Sequence, residues 1–313
     1  MIRCTIAIPV FNRVGMITDC VASALAQSDA DLEVLVVDNH SHDGTWELLQ
    51  RIADPRLRLV RNERNLGLFG NFNRCLELAR GDYLRFLCSD DRLPAGCLGD
   101  ELSTLAACPE AAMLSGRGLY RDAAGQALGT CGDVLPPGRY ARGSAAATVL
   151  QSLLGLGVNP LCYPSGILLR RQALLPAGRF DEGLRVAGDV DYFLRVLAHG
   201  DLLVSRTASA FITLHRDQIG HQQTARNGFV HLREQLTLLR RHGSAIAACR
   251  KRGVLARVAA MSAWSILRCL LRRELRSVAL HLAFTMRSRV GPWRLAASLL
   301  ALLLLRCRYY RRG

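Results

Sequence analysis

Two adjacent acidic residues, Asp90 and Asp91, follow an apolar run in the stretch YLRFLCSDDRLP, residues 83–94. The run has the composition of a buried strand, so both carboxylates would stand at the end of a core strand. There they would repel each other and lose hydration, which a bound cation would relieve. Adjacent acids are weak evidence by themselves, because the sequence contains three such pairs. Their position at a strand end makes them candidates for a metal site.

A second group of acids, Asp189 and Asp191, lies in the stretch AGDVDYFLRV. The apolar stripe that follows predicts a helix over residues 188–200. A carboxylate at the start of a helix is stabilised by free amides and by the helix dipole, which favours Asp189 as a general base. Asp191 lies about 200° further round the helix, so both cannot face one substrate. The alternative is that Asp189 only caps the helix.

The first 120 residues alternate strand and helix patterns, which predicts an α/β fold with a parallel sheet covered on both faces. Ligands of such sheets bind beyond the carboxyl ends of the strands. Polar clusters follow each predicted strand, so the site is expected at this edge. The predicted strands cover residues 4–10, 32–38, 57–61 and 82–89, and the predicted helices cover 14–27, 43–53 and 70–80.

Residues 111–180 have a less regular pattern, in which 165–171 predicts one strand. A last strand is predicted over 209–215, and it ends at His215. The N-terminus has a seven-residue apolar run and no A-x-A-like cleavage site, which favours a strand over a signal peptide. The eleven cysteines form no C-x-x-C pair, which argues against zinc or a disulfide framework and favours a reducing cytoplasm.

The net charge of +15 is unevenly distributed along the 313 residues. Residues 226–313 hold 19 basic and two acidic residues, whereas residues 1–225 hold 22 basic and 24 acidic residues. The charge therefore predicts two domains, 1–225 and 226–313, with a basic second domain. The strong apolar content of 50% predicts packed cores rather than disorder.

The basic C-terminal region has the pattern of successive amphipathic helices. Its longest uncharged run, residues 295–305, is too short to span a bilayer. Trp293, Tyr309 and Tyr310 with neighbouring arginines suit the surface of an anionic membrane. The alternative is a soluble helical domain with an arginine-rich face. Nucleic acid is not expected as a partner, because no recognised nucleic-acid motif accompanies the charge.

Six segments together resemble the family 2 glycosyltransferases of the GT-A fold, over roughly residues 3–217. This resemblance implies a Rossmann-like nucleotide-diphospho-sugar transferase sheet flanked by helices. It also implies sugar transfer with inversion at the anomeric carbon and a divalent cation, Mg²⁺ or Mn²⁺. The segments are, in order, IAIPVFNR, VLVVDNHSHDGT, NLGLFGNFNRCLELARGDYLRFLCSDD, SGILLRR, GRFDEGLRVAGDVDYFLRV and FITLHR.

The resemblance assigns the catalytic and metal roles residue by residue. Asp91 corresponds to the metal ligand, and His215 would approach the metal or diphosphate from the far side, unless it is a structural histidine. Asp90 would face the donor ribose or sugar. Asp189 aligns with the acid of the family's Glu-Asp pair, and Gly188 replaces the Glu.

The resemblance also implies a nucleotide pocket. Asp38 and Asn39 stand where the family grips the base and ribose, and an amide can both donate to and accept from a pyrimidine edge. The opposite wall would be formed by Pro9, Phe11 and Asn12. The residues expected near the donor are Asn65, Gly67 and Arg74, although Arg74 could instead form a surface salt bridge.

The sequence therefore predicts a metal-dependent inverting glycosyltransferase that uses a UDP- or dTDP-sugar. The acceptor would be a hydroxyl of a glycan or a lipid-linked saccharide in bacterial surface polysaccharide synthesis. The enzyme would be cytoplasmic and peripheral to the inner face of the membrane. A sugar nucleotidyltransferase is the first alternative, but the loop after the first strand lacks its Gly- and Arg/Lys-rich composition. An inactive membrane-bound scaffold is the second, against which Asp91 and Asp189 argue.

Overall fold

The computed structural model describes residues 2–28, 31–156, 159–215 and 228–245, together with residues 259 and 263. The chain divides into two compact units. The first comprises Met1–Ala146 and Asn159–Arg216, and the second comprises Ala147–Val158 and Asp217–Gly313. The predicted boundary near residue 225 and the helices predicted beyond residue 245 lie outside the described residues.

Four parallel strands form the first half of the sheet. They are β1 (Cys4–Val10), β2 (Leu32–Asp38), β3 (Leu57–Arg61) and β4 (Tyr83–Phe86), in the order β3-β2-β1-β4. Every residue of β1 and β2 is buried, as expected for parallel strands covered on both faces. The carboxyl ends of these strands lie along one edge, where the polar loops begin.

Helices connect the parallel strands and end at α4, which follows β4. The apolar residues of α1 that recur at helical spacing are buried, which explains why this segment is helical. At the start of α3, Gly67 adopts a φ of +78°, a conformation that favours glycine. The helices are α1 (Ile17–Leu25), α2 (Thr45–Leu49), α3 (Leu68–Leu78) and α4 (Cys97–Ala106).

The second half of the sheet mixes directions. Its strands are β5 (Ala111–Arg121), β6 (Ala127–Cys131), β7 (Gly138–Tyr140), β8 (Ile167–Arg170) and β9 (Asp201–Thr213). The full order is β3-β2-β1-β4-β8-β5-β9-β7, and β6 pairs with β5. β8 is antiparallel to both β4 and β5, whereas β5 and β9 are parallel. β9 begins eight residues before the strand predicted over 209–215, and β5 was not predicted. Both differences have one reason: register shifts in the pairing of β5 with β9 interrupt the alternation of side chains along these strands.

Four further helices are described. They are α5 (Arg142–Gln151), α6 (Arg171–Ala177), α7 (Gly188–Val196) and α8 (Gly228–His242). α7 begins at the predicted residue, and α8 lies in the second unit. Across the described part of the chain, the helices are all too short or too polar to cross a membrane.

Two buried groups fix the elements that carry the site. Arg85 of β4 is fully buried, pairs with Glu101 of α4 and donates to the carbonyl oxygen of Ser209 on β9 at 3.0 Å. The ring of Phe180 stacks on Tyr192 of α7 at 4.0 Å and packs edge-on against Phe86 of β4. The first contact positions the loop after β4, and the second positions the start of α7.

Candidate active site

The loop after β4 buries Asp91 between two later parts of the chain. The Ser165 hydroxyl donates to Asp91 Oδ2 at 2.6 Å, and the Thr213 backbone N–H donates to Asp91 Oδ1 at 3.0 Å. Burial, and then the charge of Asp90, raises the pKa of the Asp91 carboxyl well above its usual value. Each oxygen still has a lone pair for a further ligand. Asp91 is therefore an oriented carboxyl group in an environment that favours a nearby cation.

Ser165 connects three segments around the acids. It is fully buried on a short 3₁₀ turn, Pro164–Gly166, that leads into β8. Besides donating to Asp91, its Oγ accepts the Cys88 backbone N–H at 3.0 Å. No role was predicted for Ser165, although it opens the SGILLRR segment.

Asp90 pairs with His215, the residue predicted as a second metal ligand. The distance between His215 Nε2 and Asp90 Oδ2 is 2.9 Å, and the two side chains are 10% and 15% exposed, respectively. His215 Nδ1 is buried, and it has no hydrogen-bond partner within the described residues. When Nε2 carries the proton that it donates to Asp90, Nδ1 presents a lone pair.

The residues at this loop fit a hard divalent cation. Ligand atoms of Cys88, Asp90 and Asp91 all lie within 4.8 Å of one another. Burial, and then the charges of Asp91 and Asp90, raises the pKa of the Cys88 thiol well above its usual value, so this thiol stays neutral. The remaining donors of this group are the carboxylate oxygens of Asp90 and Asp91, which suit Mg²⁺ or Mn²⁺ better than a soft metal, and His215 is not a member of it.

α7 separates its two acids, as the helical spacing predicted. Asp189 is half-buried in the first turn, and its Oδ1 accepts the Val190 backbone N–H at 2.8 Å. Asp191 is buried and pairs with Arg195 at 3.1 Å. The N-cap position belongs to Ala187, while Asp189 binds a free N–H of the first turn, so its roles as a cap and as a base both stay predictions.

The glycine before Asp189 has a packing explanation. A Cβ on Gly188 would lie 2.5 Å from Cζ of Phe69, so the phenyl ring of α3 occupies the space that a side chain would need. The Glu of the family's Glu-Asp pair therefore could not fit here without displacing Phe69.

Burial foremost, and to a lesser degree the charge of Asp189, raises the pKa of Tyr163. Asp189 thus lies within electrostatic range of the segment that holds Ser165.

Hydrogen bonds join the loop after β1 to the loop after β2. Asn12 adopts a φ of +51°, its N–H donates to Ser41 Oγ at 2.9 Å, and its Oδ1 accepts the His42 N–H at 3.1 Å. The ring of Phe11 meets the exposed His42 ring edge-on at 5.7 Å, while Pro9 is buried within β1. The predicted wall is therefore formed by Phe11 and Asn12 with His42, a residue to which no role was assigned.

Asp38 and Asn39 are both buried, and both are held by hydrogen bonds within the chain. Asp38 accepts the Ser41 N–H and pairs with Arg61 Nε at 3.2 Å. The Asn39 Nδ2 donates to Asn65 Oδ1 at 2.8 Å and to the Gly67 carbonyl at 3.1 Å. The Asn39 Oδ1 accepts from Asn62 Nδ2 at 3.0 Å and from the Leu66 N–H at 2.8 Å. The structure gives both residues a supporting role, and their direct contact with the nucleotide stays a prediction.

The three residues expected beside the donor do not remain together. Asn65 and Gly67 lie in the loop that Asn39 holds, where Asn65 Oδ1 also accepts the Gly67 N–H at 2.8 Å. Arg74 lies seven residues further, about 10 Å along α3, and pairs with Glu77 at 3.1 Å. Its side chain is 41% exposed. Arg74 therefore forms the surface salt bridge that was the alternative to donor binding.

Comparison with known proteins gives a consistent result. The family model described as "Glycosyl transferase family 2" matches residues 5–174, more than half of the chain. An uncharacterized protein of Mycobacterium tuberculosis, MT1568, is 32% identical over 206 residues, which cover 62% of this chain and 61% of that protein.

A second relative has a named activity. The Escherichia coli protein WfaP, named as a UDP-Glc:alpha-D-GlcNAc-diphosphoundecaprenol beta-1,3-glucosyltransferase, is 36% identical over 87 residues. This match covers 28% of the chain and 35% of WfaP. The chain thus matches 61% or less of the length of these two relatives.

Solved structures share the fold. Staphylococcus aureus TarS, residues 1–349 in complex with UDP-GlcNAc, superposes with a TM-score of 0.66 at 18% sequence identity. The superposition covers 95% of this chain and 84% of that TarS chain of residues 1–349. The likeness shows a common fold.

The four hydrogen bonds of Asn39 predict a stability effect without any ligand. Asn39→Ala should lower the free energy of unfolding by about 2 kcal/mol or more, because buried partners lose their bonds. Asn39→Asp keeps the two accepting bonds but sets a buried carboxylate oxygen against the oxygens of Asn65 and Gly67, so it should destabilise at least as much as Asn39→Ala. Urea denaturation of the ligand-free protein measures both. An unchanged unfolding free energy together with weaker UDP binding would show that Asn39 contacts the nucleotide directly.

Proposed function

The chain belongs to glycosyl transferase family 2 and has the GT-A fold, and from this premise we propose that it is a metal-dependent inverting transferase. Its donor is a nucleotide-diphosphate sugar. The observation that carries the proposal is the anchored Asp91 carboxyl beside the Asp90–His215 pair at the carboxyl edge of the sheet. Family membership argues against a sugar nucleotidyltransferase, and this built site argues against an inactive scaffold.

Asp91 and His215 would hold Mg²⁺ or Mn²⁺. When bound, the ion supplies positive charge that stabilises the diphosphate as the bond to the sugar breaks. Asp91 is kept in orientation by Ser165 and Thr213. Asp90 orients the His215 ring through Nε2, and its second oxygen is assigned to the donor ribose or sugar.

The nucleotide is assigned to the side of the sheet edge formed by Phe11, Asn12 and His42. The rings offer aromatic surface to a base, and Asn12 offers an amide. Asp38 and Asn39 shape this side from beneath by fixing the two loops around it. Since WfaP is named for UDP-Glc and TarS is described with UDP-GlcNAc, a UDP-sugar is the favoured donor and a dTDP-sugar the second choice.

Asp189 is assigned to accept the proton of the acceptor hydroxyl. As this proton moves to Asp189, the acceptor oxygen bonds to the anomeric carbon from the face opposite the diphosphate. The bond between that carbon and the diphosphate oxygen breaks, and the configuration inverts. The acceptor is a glycan or lipid-linked saccharide, consistent with the diphosphoundecaprenol-linked acceptor in the name of WfaP, and the product belongs to a bacterial surface polysaccharide.

The basic C-terminal region is assigned to the surface of an anionic membrane. Its support is the excess of 19 basic over two acidic residues in 226–313, most of which lie outside the described residues. A lipid-linked acceptor would be met at the same surface. The enzyme would then work at the cytoplasmic face of the membrane as a peripheral protein.

The metal role of Asp91 predicts the result of Asp91→Asn, which removes the charge and keeps the shape. The Mn²⁺-dependent part of UDP affinity should fall by at least about tenfold, because one ligand of the ion is weakened. Isothermal titration with and without Mn²⁺ measures this. Asp100→Asn, an exposed acid beside Glu101, is the matched control and should bind UDP normally. Unchanged Mn²⁺ dependence in Asp91→Asn would refute the assignment.

If Asp189 is the base, Asp189→Asn should lower turnover and leave folding unchanged. Asp189→Asn can still accept the Val190 N–H, so the melting temperature and donor affinity should stay normal. Turnover should fall by about 100-fold or more, because the amide cannot take the proton. Asp191→Asn should instead lower the melting temperature while its folded fraction remains active. The reverse pattern, an active Asp189→Asn and an inactive Asp191→Asn, would identify Asp191 as the base.

The membrane assignment predicts flotation with anionic liposomes. Each basic residue near the surface contributes about 1 kcal/mol at most, so binding should weaken as salt rises. The full chain should float with phosphatidylglycerol liposomes at low salt, and a chain ending near residue 225 should not. A full chain that stays at the bottom of the gradient at low salt would show that the tail is not a membrane anchor.

A further inference from the structure

Two cysteines approach each other beside the active site. Cys131 ends β6, and Cys162 lies three residues before Ser165. Their Sγ atoms are 3.8 Å apart, although the residues are 31 positions apart in the sequence. Cys131 is half-buried and Cys162 is buried. Neither belongs to the metal, nucleotide or proton-transfer groups described above.

Glycines make room for the two sulfur atoms. A Cβ on Gly118 of β5 would lie 2.5 Å from Cys131 Sγ and 2.8 Å from Cys162 Sγ. A Cβ on Gly166 would overlap Cys162 Sγ as well. The absence of a side chain at Gly118 and at Gly166 thus leaves the space that the two thiols occupy. No side chain separates the two sulfur atoms there.

We propose that Cys131 and Cys162 are a reversible modification site, at which a peroxide joins the two thiols in a disulfide that slows sugar transfer. In the first step the Cys131 thiolate attacks one oxygen of hydrogen peroxide, the O–O bond breaks, and Cys131 sulfenic acid and hydroxide form. Cys162 then attacks the sulfenic sulfur and expels hydroxide. With the protons included, two thiols and one peroxide give one disulfide and two waters.

The two thiols differ in pKa, as is required if Cys131 attacks the peroxide first and Cys162 attacks the sulfenic acid second. The hydrogen bond from Cys162, and a further one from Tyr120, lowers the pKa of Cys131 below the usual value of a thiol. The same interaction with Cys131, followed by burial, raises the pKa of Cys162. Cys131 therefore ionises more readily than Cys162, and it is also the more accessible of the pair, so it is the thiol that meets the oxidant. Cys162 is positioned to resolve the sulfenic acid.

Closing the disulfide would act on the active site through Ser165. The sulfur atoms must approach from 3.8 Å to about 2.05 Å. Cys162 is tied to β5, since its N–H donates to Ser115 Oγ at 3.1 Å, and the chain continues from it to the serine that holds Asp91. A shift of this segment disturbs the orientation of Asp91. This consequence rests on the proposed function, whereas formation of the disulfide does not.

The chemistry is tested by mass spectrometry of the full chain. The protein is treated with hydrogen peroxide, its remaining thiols are alkylated, and it is digested with trypsin without reduction. The expected product joins peptides 122–139 and 143–170, each of which contains one cysteine, with a mass about 2 Da below their sum. Dithiothreitol should reverse it. Cys131→Ser should give no such product.

Cys108 supplies the matched control. It is also half-buried, and its Sγ contacts Glu110 Oε2 at 3.6 Å rather than a thiol. Cys108→Ser should form the Cys131–Cys162 product normally, and Cys108 in the wild type should react at least about fivefold more slowly than the pair. Equal loss of all thiols, or a cross-link that appears only after denaturation, would overturn the proposal.

Activity supplies the second readout. The oxidised wild type should lose at least about fivefold in transfer rate and recover with dithiothreitol, whereas Cys131→Ser should be as active as the reduced wild type and insensitive to peroxide. A cross-linked enzyme with full activity would overturn the regulatory effect. If the cross-link forms but neither form of the protein transfers sugar, the disulfide site stands and the proposed function fails.

Discussion

The structure depends on an unfavourable interaction, the burial of Asp91 beside a second carboxylate at the end of β4. Burial raises the pKa of Asp91, and the charge of Asp90 adds to that effect. The later half of the chain compensates for it: Ser165 and the Thr213 backbone bind Asp91, and His215 binds Asp90. These partners use the hydrogen-bonding capacity of the acids only in part. The remaining capacity and the remaining charge are what a divalent cation and a diphosphate would satisfy.

The two halves of the sheet have different tasks. The four parallel strands carry the loops to which the nucleotide is assigned in the proposed function, where Asn39 fixes the loop after β3 by four hydrogen bonds and Asn12 joins the loops after β1 and β2. The mixed half supplies the partners of Asp91, because the turn before β8 carries Ser165 and β9 ends at Thr213. In the proposed function, the amide network of Asn39 would fix the loops around the nucleotide, and the oriented Asp91 carboxyl would hold the diphosphate end of the donor. An acceptor could then approach the sugar beside Asp189.

The sequence predicted the parallel half well, because its strands are buried on both faces and appear as short apolar runs. The bounds of β1, β2 and β3 agree with the structure. It also separated Asp189 from Asp191, since helical spacing is a local property. It could not reveal the partners of Asp91 and Asp90, which lie 74 to 125 positions away, or the pairing of β5, whose register shifts hide its alternation. The burial of Asn39 likewise depends on tertiary contacts that no local pattern records, whereas the ion pair of Arg74 with Glu77 is a local i,i+3 contact on α3.

The central claim is that the Asp90–Asp91 loop binds a divalent cation together with the donor diphosphate. Anomalous X-ray diffraction from crystals grown with Mn²⁺ and UDP tests it most directly. One strong manganese peak is expected within bonding distance of an Asp91 oxygen, with diphosphate oxygens on its other side and His215 Nδ1 in the same coordination sphere. UDP bound in the cleft with no manganese peak at this loop, or a peak held by other residues, would contradict it.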